Sequence, residues 1–176
     1  ELNDHLTAYE QVKIFNRIFF KAHKFHGDSK NYHSPVNSYI NTVLESKKGN
    51  PLSICLLYSI IAQSLDLPIY GVNLPNHFVL AYIDTRGSVA LINEENEYGV
   101  LCYINAFSNG VIFNTNEIKQ FLDELKLPHR REYFEPCSNS AIIKRMLNNL
   151  ISSFQRVGNS EKVEELTLLR NIIQGN

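Results

Sequence analysis

One stretch of the sequence, residues 50–68, most constrains how the chain can fold. Asn50 is a good helix cap, and Pro51 suits the first turn, where a missing backbone N–H costs little. The helix that follows, Leu52–Leu65, is apolar on most of its circumference, and Asp66 and Pro68 end it. An all-round apolar helix has to be covered by other elements. We therefore expect this helix to be deeply buried.

Helical spacing of apolar residues also occurs before and after this segment. It predicts a core-facing helix over residues 5–24 and a second one that starts near Asn37 or Ser38. A further helix is predicted over Glu117–Leu127. Two closing helices are predicted from apolar stripes over residues 141–154 and 163–173. The residues between them, 157–160, include a glycine that ends the first helix and a polar cap that starts the second. These two helices are predicted to form an antiparallel pair.

Between the helical parts, the sequence has the pattern of an antiparallel sheet. Short runs of β-branched and aromatic residues alternate with turn residues after Pro68. Four strands are predicted, namely Ile69–Leu74, His77–Asp84, Ser88–Asn93 and Val100–Asn105. Connections this short join antiparallel strands. The sequence therefore predicts an α+β fold in which the buried helix packs on this sheet.

Charge and apolar runs exclude several classes of partner. The 176 residues include 17 basic and 18 acidic side chains, and Arg86 is the only basic residue between Lys48 and Lys119. This balance argues against nucleic-acid binding. No apolar run approaches the roughly 18 residues that cross a bilayer, so no membrane partner is predicted. Because the chain begins at Glu1 and its single methionine is Met146, we expect further residues to precede it.

Cysteine and histidine positions predict neither a disulfide scaffold nor a metal site. The cysteines are too few and too scattered for either, and they lie at Cys55, Cys102 and Cys137. A reducing compartment, the cytoplasm, is therefore favoured. His23, His26 and His33 fit a solvated polar loop better than a metal site, because no thiol joins them. No cofactor is predicted.

The order of the predicted elements nevertheless suits nucleophilic catalysis. A helix start lowers the pKa of a thiol, an imidazole on a neighbouring strand can take its proton, and an amide or carboxylate can orient that imidazole. Here the buried helix is followed by a strand that begins at His77 and by one that ends at Asn105. Alternation places His77, Val79 and Ala81 on one face of their strand. The hypothesis requires the His77 ring to face the opening turn of the buried helix.

Four segments in this order resemble one protein family. They are Asn37–Glu45 (NSYINTVLE), Gly49–Ser53 (GNPLS), Tyr70–Phe78 (YGVNLPNHF) and Ile104–Phe107 (INAF). Together they resemble the SirB-type branch of the transglutaminase-like superfamily, whose domain also occurs in certain F-box proteins. The resemblance covers roughly residues 10–115.

The resemblance implies a transglutaminase/papain-like core flanked by helices. Residues 1–136 would form the transglutaminase-like domain, and residues 137–176 a helical hairpin packed on it or appended to it. From Arg145 onward, this hairpin is similar to the tetratricopeptide-like tail of bacterial members. In active relatives a cysteine follows a glycine by two positions at the helix start. That position is Pro51 here, so the expected thiol is missing.

Ser53 and Cys55 are the two side chains that could replace the missing thiol. They are two positions apart, about 200° around the helix, so at most one of them can face His77. Each also has an ordinary structural interpretation. Ser53 fits a capping or backbone hydrogen bond, and Cys55 fits a small buried side chain. Asn105 stands where active relatives carry aspartate, and it equally fits a turn residue.

Three hypotheses for the function follow. The first is a catalytically degenerate transglutaminase-like domain that binds a protein or peptide, with the closing hairpin as a second contact surface. The second is a cysteine hydrolase or acyltransferase in which Cys55, or Ser53, attacks an amide or ester, with His77 as base and Asn105 orienting it. The third is a purely structural module of a longer protein.

Overall fold

The computed structural model describes residues 5–85 and 98–175, which contain helices and two small sheets. The helices are α1 (Ala8–Asn16), α2 (Ile40–Ser46), α3 (Pro51–Gln63), α4 (Thr115–Glu124), α5 (Asn139–Arg156) and α6 (Ser160–Gln174). The strands are β1 (His26–Gly27), β2 (Lys48–Gly49), β3 (Ile69–Val72), β4 (Val79–Ile83), β5 (Val100–Asn105) and β6 (Val111–Phe113). The α+β class and the antiparallel sheet are confirmed.

Helix α3 is the centre of the larger core, as its sequence predicts. Asn50 caps it and Pro51 is its first residue. Nine of its 13 residues are buried. Its apolar side chains, with Ile54, Cys55 and Tyr58 fully buried, pack with α1 and one face of the sheet.

The main sheet is antiparallel, with its strands in the order β3-β4-β5-β6. Both of its faces are covered. Phe78, Leu80 and Tyr82 contribute to the α3 core, whereas Val79 and Ala81 belong to a second core with Ile118 and Leu122 of α4. Since successive side chains of a strand alternate, β4 separates the two cores.

Several element boundaries differ from the sequence predictions. Strand β4 begins at Val79, so the predicted start at His77 is wrong, because residues 75–76 form a turn and residues 77–78 precede the strand. Helix α2 begins at Ile40, after a 3-10 turn over Pro35–Ser38. The predicted strand Ser88–Asn93 lies outside the described residues. Parallel pairing of β1 with β2 was not predicted, since strands of two residues carry no periodicity.

Helix α1 continues into a π-helical turn over Arg17–Ala22, so the predicted first helix is present at residues 8–22. Within it, Val12, Phe15 and Phe19 are buried in the core. Tyr9 belongs to the apolar spacing that predicts this core-facing helix, yet it is 51% exposed and carries Lys13 Nζ over its ring.

Helices α5 and α6 form the predicted antiparallel pair. Arg170 of α6 donates to Asn148 of α5, and the two residues are equidistant in sequence from Asn159 in the connecting turn. Helix α5 also contacts the rest of the fold, since Ile142 joins the α3 core. Just before this helix, Cys137 N donates to Gly71 O of β3. The boundary between residues 1–136 and 137–176 stays a prediction. No described helix is long and apolar enough to cross a membrane.

Candidate functional site

The opening turn of α3 is held by a buried polar network. Asn50 Oδ1 accepts a hydrogen bond from Ser53 N at 2.9 Å, and Asn50 Nδ2 donates to Ser38 Oγ at 2.8 Å. Pro51 follows as the first residue of the helix and is buried. An asparagine cap before proline satisfies a donor of the first turn while proline removes another, which is why this sequence starts a helix here.

Ser53 and Cys55, the two candidate nucleophiles, both form hydrogen bonds inside the protein. Ser53 Oγ donates to Asn37 O at 2.5 Å and is almost completely buried. Cys55 Sγ donates to Phe78 O at 3.3 Å, and the side chain is fully buried. Burial raises the pKa of the Cys55 thiol to about 12, because a thiolate would lose its solvation there. At neutral pH this sulfur is a protonated thiol inside the core.

The His77 ring lies on the α4 side of the sheet, not at the start of α3. It makes an edge contact with the Phe121 ring, with the centroids 5.2 Å apart. Partial burial and the nearby Arg145 guanidinium lower the pKa of His77, so its neutral form is favoured. The expectation that this imidazole faces the opening turn of α3 is therefore wrong. Phe78, the next residue, packs in the α3 core, whereas His77 lines the groove beside α4.

Asn105 lies beside His77 in one groove of about 330 Å³ that also contains Glu117 and Phe121. Its side-chain oxygen is already used, since Oδ1 accepts a hydrogen bond from Ser108 N at 3.1 Å and caps a short 3-10 helix. The structure thus brings His77 and Asn105 together but leaves Ser53 and Cys55 elsewhere. Their roles as catalytic residues stay predictions.

A larger opening lies at the start of α3. We call it the α3 cleft, a cavity of about 380 Å³ between the helix start, the β3–β4 connection and α5. Asn50, Pro51 and Leu52 line it from α3, and Asn76 and Phe78 from the connection. Asn76 adopts a left-handed conformation with φ 60°, which asparagine tolerates better than most residues other than glycine. The remaining lining residues are Tyr32, His33, Arg145, Asn148, Asn149, Ser152 and Ser153.

In this arrangement a capped helix start packs against an antiparallel sheet. A comparison with known protein families agrees with it. The sequence profile of the transglutaminase-like superfamily matches residues 1–148. The chain belongs to the transglutaminase-like superfamily. The match extends into α5, so this transglutaminase-like chain shares the first part of its closing hairpin with the family.

Similar curated proteins come from bacteria and animals. A UPF0162 protein of Pasteurella multocida is 34% identical over 93 residues, 53% of this chain and 35% of that protein. Human F-box only protein 21 is 28% identical over 148 residues, 84% of this chain and 22% of that protein. A UPF0162 protein of Haemophilus influenzae is 29% identical over 147 residues, 80% and 53% of the two chains. The transglutaminase-like chain thus spans about half or less of these relatives, and no solved structure matches it significantly.

Arg145 is one of the cleft residues on α5 that the sequence analysis did not predict as site residues. It lies three positions after Ile142 on α5, next to the apolar stripe of that helix, so its position beside buried residues was the available signal. For metals, the described segments contain no group of three or more His, Cys, Asp or Glu side chains that could hold an ion. The described lining of the α3 cleft combines amide, hydroxyl, aromatic and guanidinium groups with the apolar side chains of Pro51 and Leu52, a mixture that suits binding.

Proposed function

We propose that this chain is a catalytically degenerate transglutaminase-like module that binds a protein or peptide segment in the α3 cleft. The observation that supports it most is the composition of the helix start. The family's enzymes need a nucleophile there, whereas this chain has Pro51, which carries no nucleophilic group. The cleft nevertheless stays open, at about 380 Å³. That volume suits a few side chains of a bound segment.

The positions of the other candidate groups also favour binding over catalysis. A cysteine hydrolase needs a thiol within hydrogen-bond reach of its base. Cys55 donates to Phe78 O in the core, while His77 contacts Phe121 on the other side of the sheet. Ser53 donates to Asn37 O, so its hydroxyl serves the fold.

Three finer points belong to this proposal. The first is membership of the SirB-type branch, on the motifs quoted above. The second is a tetratricopeptide-like role for the α5–α6 hairpin as a second contact surface, supported by exposed apolar side chains on α6 at Leu168, Leu169 and Ile172. The third is a reducing, cytoplasmic location, supported by the three free cysteines.

A peptide array tests the proposal with one matched pair of variants. Fluorescently labelled protein is applied to immobilised peptides of random sequence, and bound peptides are scored. Ser152 is exposed on α5 and lines the cleft, so Ser152→Trp should fill the opening and abolish most binding. Ser140 is exposed on the same helix outside the cleft, so Ser140→Trp should bind like the unchanged protein. Equal binding by both variants, or no binding by the unchanged protein, would contradict the proposal.

A turnover assay tests the absence of catalysis. The chain is incubated with a chromogenic ester, an anilide and a glutamine peptide with a fluorescent amine. We expect no turnover above that of the Cys55→Ala variant. Turnover that both Cys55→Ala and His77→Ala remove would instead support the hydrolase or acyltransferase hypothesis.

A further inference from the structure

The most distinctive group in the α3 cleft is the guanidinium of Arg145. It is half-buried in the cleft wall, and its Nη1 donates to Asn73 Oδ1 at 2.6 Å and to Leu74 O at 2.7 Å. Both acceptors are neutral. Within the described residues no carboxylate forms an ion pair with Arg145, although ion pairs occur elsewhere, such as Arg131–Glu135 and Lys162–Glu165. In the part of the chain that the structure describes, this cation of the cavity wall therefore has no counter-charge.

The other described groups of the cleft add no negative charge. The described lining residues include no Asp or Glu, and their ionisable side chains are Tyr32, His33 and Arg145. Asn148 accepts a hydrogen bond from Arg170 Nη1 through its Oδ1 at 3.2 Å. One lone pair of this oxygen is thereby used, and the Asn148 NH₂ group can still donate. The described cleft wall thus offers neutral hydrogen-bonding groups beside one cation.

The guanidinium is also only partly used as a donor. It carries five N–H groups, and the hydrogen bonds within the described residues involve Nη1 alone. Nε and Nη2 can therefore donate hydrogen bonds to a further acceptor. Burial lowers the pKa of Arg145, which reflects the cost of keeping this charge partly out of water. A carboxylate placed beside the guanidinium would offset that cost and accept two parallel hydrogen bonds.

We propose that the α3 cleft selects segments that carry a carboxylate, and that Arg145 binds this carboxylate. The inference rests on the proposed function, because it names the class of peptide that the cleft takes. The carboxylate can come from an Asp or Glu side chain or from a peptide C-terminus. Both sources offer the same planar pair of oxygens to the guanidinium.

The test uses peptides that the array identifies as Ser152→Trp-sensitive. Each is synthesised in three forms: unchanged, with Asn or Gln in place of Asp or Glu, and with a C-terminal amide. Fluorescence anisotropy then gives the dissociation constants for the unchanged protein. Removing the recognised carboxylate should weaken binding about tenfold or more, the usual size for a hydrogen bond to a charged group. The two altered forms distinguish a side-chain carboxylate from a terminal one.

Two variants with the same change assign the effect to Arg145. Arg145→Gln should remove the difference between the charged and neutral forms of each peptide. Arg156→Gln, on the exposed end of the same helix and outside the cleft, should keep it. Arg145→Lys retains a charge and should keep part of the preference. Because Arg145 also donates to Asn73 and Leu74, circular dichroism checks that each variant is folded. The comparison of charged and neutral peptides uses the unchanged protein, so it does not depend on the folding of any variant.

The outcomes separate this inference from the proposed function. Cleft-dependent peptides that bind equally well in charged and neutral forms would overturn the carboxylate selection and leave peptide binding standing. A preference that survives in Arg145→Gln would overturn the role of Arg145. If no peptide binds in a Ser152→Trp-sensitive manner, both proposals fail.

Discussion

The Cys55 thiol donates a hydrogen bond to the backbone carbonyl oxygen of Phe78, 3.3 Å away in the core between α3 and the sheet. Phe78 comes directly after His77, and its side chain packs on the α3 side. His77 instead lines the groove beside α4, so these two consecutive side chains lie on opposite sides of the sheet. The hydrogen bond to Phe78 thus holds the Cys55 thiol in the core, away from the His77 imidazole.

The first prediction concerns alkylation of Cys55. Its full burial and its pKa of about 12 predict that iodoacetamide labels Cys55 far more slowly than a model thiol near neutral pH. Cys102 and Cys137 are less buried, so they should react before Cys55 does. Peptide mapping by mass spectrometry gives the rate at each site. In denaturant, all three should react at the rate of a model thiol.

The outcome that would contradict this prediction is specific. Fast labelling of Cys55 in the folded protein, slowed by His77→Ala, would mean that the imidazole activates the thiol. Slow labelling that is equal in both proteins is expected.

The second prediction separates the structural role of Ser53 from a chemical one. Ser53→Ala removes the hydroxyl that donates to the buried Asn37 carbonyl, so it should lower the free energy of unfolding by about 1 kcal/mol. Ser64→Ala is the matched control on the same segment, since Ser64 Oγ donates to Ile61 O at an exposed site. Its effect should be within about 0.5 kcal/mol of zero. Urea unfolding followed by circular dichroism measures both, and equal effects would contradict the assigned role.

Local side-chain chemistry explains why the sequence predicted α3 so closely. Asn50 caps a helix and Pro51 starts one through contacts within a single turn, and neither depends on the rest of the fold. The apolar circumference of the helix then requires burial. The predicted end at Leu65 is two residues beyond the observed end at Gln63. Because helix ends fray, the sequence defines the last residue of a helix less closely than its first turn.

The position of His77 could not be predicted from its strand. Alternation correctly grouped it with Val79, since both line the groove next to α4. Both faces of β4 are covered by apolar residues, however, so the sequence gives no sign of which face meets α3. Arg145 was missed for a related reason. A cation beside an apolar stripe looks like a flanking surface residue until the tertiary fold places the β3–β4 connection against it.

The third prediction compares two asparagine caps. Asn50 is buried and uses both ends of its amide, with Ser53 N and Ser38 Oγ as partners. Asn50→Ala should therefore cost about 2 kcal/mol, the upper end for an N-cap. Asn159 caps α6 at an exposed site through Lys162 N alone, so Asn159→Ala should cost about 1 kcal/mol or less. Urea unfolding gives both values, and a larger loss at Asn159 would contradict the central role of the α3 start.

The fourth prediction concerns the pH dependence of stability through His77. Its pKa is lowered in the folded state by partial burial and by Arg145, so the unfolded chain binds the proton more tightly. Stability from this group is therefore present above the unfolded pKa and is lost as the pH falls through the unfolded pKa toward the folded one. His77→Gln removes this titration, so its unfolding free energy should fall less between about pH 8 and pH 5 than that of the unchanged protein. Urea unfolding across this range measures the slopes, and a steeper fall in His77→Gln would mean that the ring is held in its protonated form instead.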